Sequence, residues 1–140
     1  MQRIQSFALR GIDAVAVEIE CDERPRREGA QDGGTRPVIV GLPDASVRES
    51  MQRVRAALAA SELPYPRGEC VINLAPAELR KEGPVYDLAI AIGLLRMQGV
   101  IGERADDRLA RLAIAGELAL DGLVRPIRGA TSLAAFARDQ

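Results

Sequence analysis

Hydrophobic and polar positions alternate along the first twenty residues. Val15, Val17, Ile19 and Cys21 share one face and Glu18 and Glu20 the other, the period of a half-buried strand. The pattern predicts strands over 3–10 and 13–21, joined by a tight turn at Gly11. From Asp22 to Arg36 the chain is polar, charged and glycine-containing, which predicts a surface loop. Val38-Ile39-Val40 is a short apolar strand leading into Gly41-Leu42-Pro43-Asp44. Asp44 suits a helix N-cap, because its carboxylate can accept the free amides of the first turn. Val47, Met51, Val54 and Leu58 then recur at helical spacing and form one apolar stripe. At about 100° per residue, Arg48 and Arg55 fall on the flank of that stripe and Arg53 on the far side. The helix must stop before Pro64 and Pro66.

A strand follows over Glu69 to Ala75, with Cys70, Ile72 and Leu74 on one face and Asn73 opposed, placed to brace a neighbouring loop. Pro76 to Pro84 reads as an irregular loop. Leu88 to Leu95 is apolar on every face, so its helix should be central and buried. Gly93 in its middle costs about 1 kcal/mol relative to Ala, which points to close approach of another element. Gly99 ends the helix. Asp121-Gly122 predicts a two-residue hairpin turn between Leu118-Ala119-Leu120 and Leu123-Val124. An amphipathic helix begins at Thr131 and runs to Gln140 through Leu133, Phe136 and Ala137. The order is three strands, helix, strand, helix, hairpin, helix. It predicts an α+β fold, a mixed sheet with helices packed mainly on one face.

Composition narrows the chemistry. At 140 residues, 47% hydrophobic and 3% aromatic, the chain can build one domain with an Ala, Leu, Ile and Val core. It contains no His, so neither a Ser-His-Asp arrangement nor a His-based metal site can be assembled. Cys21 and Cys70 sit in strand-like alternations and read as buried reduced thiols. Lys81, the only lysine, is followed by Glu82, so no P-loop is present. The other basic residues are all Arg, which favours bidentate phosphate contacts. A coding bias toward Arg and Ala explains the same ratio, and a net charge of −1 gives no support to strong non-specific DNA binding. No apolar run reaches 18 residues and the start, Met-Gln-Arg-Ile-Gln-Ser-Phe, carries no export signal, so a cytoplasmic location without membrane contact is expected.

Two stretches carry a resemblance. Lys81-Glu82-Gly83-Pro84-Val85-Tyr86-Asp87-Leu88, with Gly116-Glu117-Leu118 through Pro126-Ile127-Arg128-Gly129-Ala130-Thr131, has the layout of the Lon-type serine peptidase domain. There the residue after Gly-Pro is the nucleophilic Ser and a Lys after the Pro-Ile turn is the base. Here those places hold Val85 and Thr131. More of the chain is similar to the Mg-chelatase-like ATPases of the ComM/YifB type. The stretches are Gly41-Leu42-Pro43-Asp44 with Val47-Arg48-Glu49-Ser50, then Asn73-Leu74-Ala75-Pro76-Ala77, Arg80-Lys81-Glu82-Gly83-Pro84 and Gly116-Glu117-Leu118 through Asp121-Gly122. The opening Gln5-Ser6 and Gly11-Ile12-Asp13-Ala14 resemble the family start, whereas the 22–36 loop is longer and more charged than usual. The resemblance implies an N-terminal domain, residues 1–140, with the fold of Lon peptidase domains and of a ribosomal small-subunit domain. It implies an AAA+ module beyond Gln140 that hydrolyses ATP as a ring, expected to be a hexamer, with ATP and Mg bound in the parent and no cofactor or metal in this domain. ComM-type members are implicated in DNA branch migration during recombination.

A Ser-Lys dyad needs a hydroxyl within reach of a neutral amine, but Val85 has no nucleophilic atom at the nucleophile position and Thr131 no basic nitrogen at the base position. The domain is therefore expected to be non-catalytic and to support oligomer assembly or DNA engagement. Its expected partners are its own AAA+ module, neighbouring subunits, and single-stranded or branched DNA. Arg80 and Lys81 in the loop before the buried helix, with Arg48 and Arg55, are the candidate DNA or inter-subunit contacts. Asp87 is expected to complement the helix N-terminus, and Tyr86 to fill the former substrate cleft. The alternative is a peptide-binding or regulatory module that keeps the groove without cleavage.

Overall fold

The computed structural model describes residues 1–24 and 37–140. β1 (Gln2–Arg10) and β2 (Asp13–Arg24) form a long antiparallel hairpin about the turn at Gly11. β2 then pairs antiparallel with β4 (Glu69–Ala75), whose other edge takes β3 (Val38–Val40) in parallel. The result is a mixed four-stranded sheet in the order β1-β2-β4-β3. β2 runs further than its hydrophobic pattern predicts. Asp22, Glu23 and Arg24, expected in the loop, pair with Val71, Cys70 and Glu69, and the Glu23 carboxylate accepts the Gly68 amide at 2.9 Å. The rest of the expected loop, 25–36, lies outside the described residues.

α1 (Ala45–Ala60) and α2 (Asp87–Met97) cover the sheet face formed by Ile4, Val17, Ile19, Cys21, Cys70, Ile72 and Leu74, all buried. Val47, Met51, Val54 and Leu58 deliver the apolar stripe of α1 to this core, and most of α2 is buried, as its all-round apolar sequence requires. Asp44 caps α1 by accepting the Val47 amide at 2.8 Å. Asn73 braces a strand, not a loop: its amide donates to Glu20 on β2 at 2.8 Å. The opposite face is covered at one end by α4 (Ala130–Asp139), where Phe136 meets Phe7 edge-on at 5.4 Å between ring centres.

Two elements differ from expectation. A short helix, α3 (Asp106–Leu109), follows a 3₁₀ turn at Glu103–Ala105 and is tied to the end of α2 by a two-pronged Arg96–Asp106 pair, 2.6 Å at one prong. The hairpin of β5 (Glu117–Leu118) and β6 (Val124–Arg125) closes on three residues, because Ala119 donates its amide to the Leu123 carbonyl at 2.9 Å. Gly122 has the expected positive φ, +90°. The Asp121 carboxylate accepts the Leu123 amide at 3.0 Å, so Leu120 joins the turn and a type I-like loop with a left-handed Gly results.

At Gly93, α2 lies directly against the sheet. A Cβ there would lie 2.7 Å from the Cys21 sulfur. Gly93→Ala should therefore lower stability by about 1–3 kcal/mol through overpacking, despite the better helix propensity of Ala. In a Cys21→Ala background the same change should be neutral or stabilising. Urea unfolding of the four variants measures this coupling, and additive effects would show that the contact is not what requires glycine.

Candidate functional site

The segment 81–87 is held at both ends by buried charge. At its start Lys81 is fully buried, and its ammonium donates to the carbonyls of Gly41, at 2.8 Å, and Pro76. Its backbone is paired as well. The Lys81 amide donates to the Leu42 carbonyl at 3.1 Å, and the Asp44 amide to the Lys81 carbonyl at 3.0 Å. The second oxygen of Asp44 accepts the Gly83 amide at 3.1 Å. Gly41 lies so close to β4 that a Cβ would sit 2.1 Å from the Leu74 carbonyl oxygen. The turn before α1, the exit of β4 and the 81–84 loop thus meet around one ammonium, which burial pushes to a lower pKa against the opposing pull of Glu78.

At its end Asp87 is fully buried and accepts both prongs of the Arg53 guanidinium, from Nε at 2.6 Å and Nη2 at 3.0 Å. It also accepts the Leu118 amide of β5 at 3.1 Å. Arg53 reaches further, to the Ser46 carbonyl at 2.8 Å, and the hydrogen bonds it donates to Asp87 raise its pKa above the usual arginine value. One carboxylate therefore ties α1, α2 and the hairpin together. Asp87 does more than complement a helix end, and Arg53 is not on the far side of α1. Ser50 and Ala57 are buried too, which moves the centre of the buried face toward Arg53 and away from Arg48 and Arg55.

Between these anchors the 3₁₀ turn Pro84–Tyr86 forms one wall of a cleft of about 480 Å³. Phe7, Ala8 and Leu9 of β1 form another, and Glu117, Pro126, Ile127, Arg128 and Leu133 complete it. Val85 lines the cleft. Tyr86 lines it as well and is fully buried, with a hydroxyl that has no hydrogen-bond partner among the described residues. Burial, with the Asp44 and Glu82 carboxylates, pushes that phenol upward, so it stays protonated at neutral pH. The lining contains no Ser, Thr, Cys, Lys or His. Among the described residues no three carboxylates or thiols gather as a metal site would require, and no helix is long and apolar enough to cross a membrane.

The family model for subunit ChlI of Mg-chelatase matches residues 29–140. Uncharacterized protein YifB of Escherichia coli is 44% identical over 131 residues, 94% of this chain and 24% of its own. Competence protein ComM of Haemophilus influenzae is 36% identical over 126 residues, 90% of this chain and 23% of its own. An uncharacterized protein of Mycobacterium tuberculosis is 41% identical over 127 residues, 91% of this chain and 23% of its own. The chain belongs to the Mg-chelatase-like family of YifB and ComM. It spans about a quarter of the length of these relatives.

The remaining candidate residues of this YifB/ComM-type domain are dispersed. Arg48 and Arg55 are exposed on α1, the latter with its guanidinium 5.5 Å from the centre of the Tyr65 ring. Arg80 is exposed and pairs with Glu82 at 3.1 Å. Thr131 is exposed in the first turn of α4 and is not among the residues lining the cleft beside Val85. Lys81 does not join the exposed arginines, because its ammonium is spent inside the fold. What reveals Lys81 in the sequence is its solitude: a compact ammonium with three donors suits a nest of carbonyls, whereas a planar guanidinium does not.

Two predictions follow from these buried groups. Arg53→Met should cost about 3–5 kcal/mol, since it strands a buried carboxylate. Arg53→Met with Asp87→Leu should cost clearly less than the sum of the two single changes, as measured by urea unfolding. Equal and additive losses would remove the pair from its central place. The thiols predict an alkaline slope. Burial raises Cys21 to about 12 and Cys70 to about 11, from 9.0. Above pH 9.0 the unfolded chain releases these protons and the folded chain keeps them, so stability falls as pH rises, by at most about 1.4 kcal/mol per pH unit for each thiol. Lys81 acts oppositely just below 10.5, where the unfolded chain binds the extra proton. Changing both cysteines to Ala should flatten or reverse the slope, and an unchanged slope would refute this assignment.

Proposed function

We propose that this chain is a non-catalytic domain, with a Lon-like fold, of a Mg-chelatase-like AAA+ ATPase, and that it supports engagement of DNA or of neighbouring subunits during branch migration and recombination. The observation that carries the non-catalytic reading is the chemistry of the cleft. Val85 lines it where the resemblance would put a nucleophile, and the lining offers no hydroxyl, thiol or amine able to attack or to act as base except a buried, protonated Tyr86. A Ser-Lys pair needs a hydroxyl activated by a neutral amine, and Val85 and the rest of the lining supply no such pair; the Glu82 and Glu117 carboxylates have no Ser, Thr or Cys beside them in the cleft to activate. Family membership supports the motor context, in which ATP and Mg would be bound outside this domain, and one family member is named a competence protein.

Where DNA contact would occur is set by which basic residues are free to reach it. Arg48 and Arg80 are exposed. The Arg80–Glu82 pair is solvent-accessible at both ends and holds Arg80 only weakly. With a net charge of −1 the counterion-release contribution of one copy is small, so useful affinity would come from several linked copies. Lys81 is unsuitable as a test position, because its removal strands buried carbonyls and confuses binding with folding.

The test is Arg48→Glu with Arg80→Glu in the full-length protein. DNA-stimulated ATP hydrolysis and branch migration should fall by about tenfold or more at physiological salt, with a shallower salt dependence, while the assembled mass is retained. Loss of assembly would assign these residues to subunit contact. Full activity with normal assembly would exclude both roles for this surface. Cleavage of an unfolded protein by the unaltered full-length chain, abolished by changing one serine of this domain, would overturn the non-catalytic reading.

A further inference from the structure

The outer edge of β1 is paired over only part of its length. The Gln5 carbonyl accepts the Ile114 amide at 2.7 Å, and Gln5 stands in parallel register with Ala113. In an extended strand the N–H and C=O of one residue point to the same side, and every second residue repeats that direction. The β1–β2 register runs without interruption from Gln2 to Arg10. Phe7 and Leu9 therefore turn their main-chain groups the same way as Gln5, away from β2. The segment that pairs with Gln5 does not continue beside them. Gly116 instead donates its amide to the Val85 carbonyl at 2.9 Å and accepts the Leu88 amide at 3.0 Å. The chain has left β1 by this point, and the space it leaves is the cleft. Among the described residues, Phe7 and Leu9 have no backbone partner on that side.

We propose that this gap accepts an extended polypeptide segment as an added strand, which continues along Phe7 and Leu9 the ladder that 113–114 begins. The main-chain groups of Phe7 and Leu9 supply donors and acceptors at strand spacing, the requirement for strand addition at a sheet edge. Side chains on one face of the added strand meet Val85, Ile127 and Leu133, so these positions select uncharged apolar residues. Glu82, Glu117 and Arg128 also line the cleft and penalise any segment that buries a charge beside them unpaired. The volume, about 480 Å³, lies within the usual range of about 300–1,000 Å³ for ligand-holding clefts. A segment bound here is held and not cut, since the lining offers no Ser, Thr or Cys nucleophile and the Tyr86 phenol stays protonated. This inference rests on the edge of β1 and is independent of DNA contact through Arg48 and Arg80.

The probe is a fluorescein-labelled peptide of about eight alternating valines and serines, a length that matches a common strand, titrated into the full-length protein. Its anisotropy should rise saturably, and hydrogen exchange should slow in fragments covering residues 6–10. The same peptide N-methylated on alternate amides, in the register that would face β1, should bind about tenfold more weakly or worse, and so should one with aspartate at a central valine. Leu9→Pro deletes one edge donor at a position where an edge strand tolerates proline, and should weaken binding by a similar factor with an unaltered circular dichroism spectrum. If that variant misfolds, Val85→Trp fills the cleft from the other wall and should abolish binding. Arg48→Glu, on α1 and outside the cleft lining, should leave peptide affinity unchanged. Absence of binding at millimolar peptide, equal affinity for the N-methylated peptide, or protection confined to another element such as β6 would each overturn the proposal.

Discussion

Burial of charge at both ends of the 81–87 segment is the constraint on which the rest of this domain depends. An ammonium at Lys81 and a carboxylate at Asp87 are both fully removed from solvent, a placement tolerated only where hydrogen bonds replace water. Each is satisfied by a different route. Lys81 finds backbone carbonyls from two distant loops, and Asp87 finds a guanidinium and a backbone amide. Every partner belongs to a different stretch of chain, so the two groups cannot both be satisfied unless the β3–α1 turn, the β4 exit, α1 and the β5–β6 hairpin are all in place. These groups contribute specificity of arrangement more than net stability, because a half-satisfied buried charge penalises every alternative packing.

That constraint also decides what the cleft can do. Lys81 has a lowered pKa, often the mark of a catalytic base, yet it is enclosed and faces carbonyl oxygens behind the wall, not the cleft. Perturbed titration here reports structural burial, and geometry separates that case from catalysis. Tyr86, the other shifted group nearby, is held protonated in the wall. A wall formed by Val85 and a protonated Tyr86, facing a strand edge with unpaired main-chain groups, is consistent with the proposed strand addition.

Much of the frame was legible in the sequence because it follows from local periodicity. The alternation of 13–21, the cap at Asp44, the all-apolar 88–95 helix and the glycine inside it each have a short-range physical cause, and each appears where the pattern places it. What was not legible is non-local. Arg53 was assigned to the far side of α1 from a stripe of large residues alone; Ser50 and Ala57, small and silent in that pattern, rotate the buried face toward it. Lys81 lay in a polar loop, and only the two carbonyls that converge on it, from Gly41 and Pro76, turn the loop residue into a core residue. The ends of β2 and the length of the hairpin turn were misjudged for the same reason. Asp22 to Arg24 are polar but have β4 to pair with, and Asp121 spends its carboxylate on the Leu123 amide.

The stretches that carry the family resemblance are the ones that meet around these two charges: Gly41 to Asp44, Asn73 to Ala77, Arg80 to Pro84 and Gly116 to Gly122. Likeness in these stretches therefore speaks first for a shared frame. Function has to be sought where the frame leaves side chains or backbone unspent, and the frame itself dictates where that is. With Lys81 committed inward, Arg80 and Glu82 on either side of it are turned to solvent, where among the described residues they pair with each other. With Gly116 committed to Val85 and Leu88, the outer edge of β1 beyond Gln5 is left open beside an apolar wall. The interactions that close the core are thus the same ones that leave an exposed basic position at Arg80 and an unpaired strand edge on β1, with Glu82 bordering both.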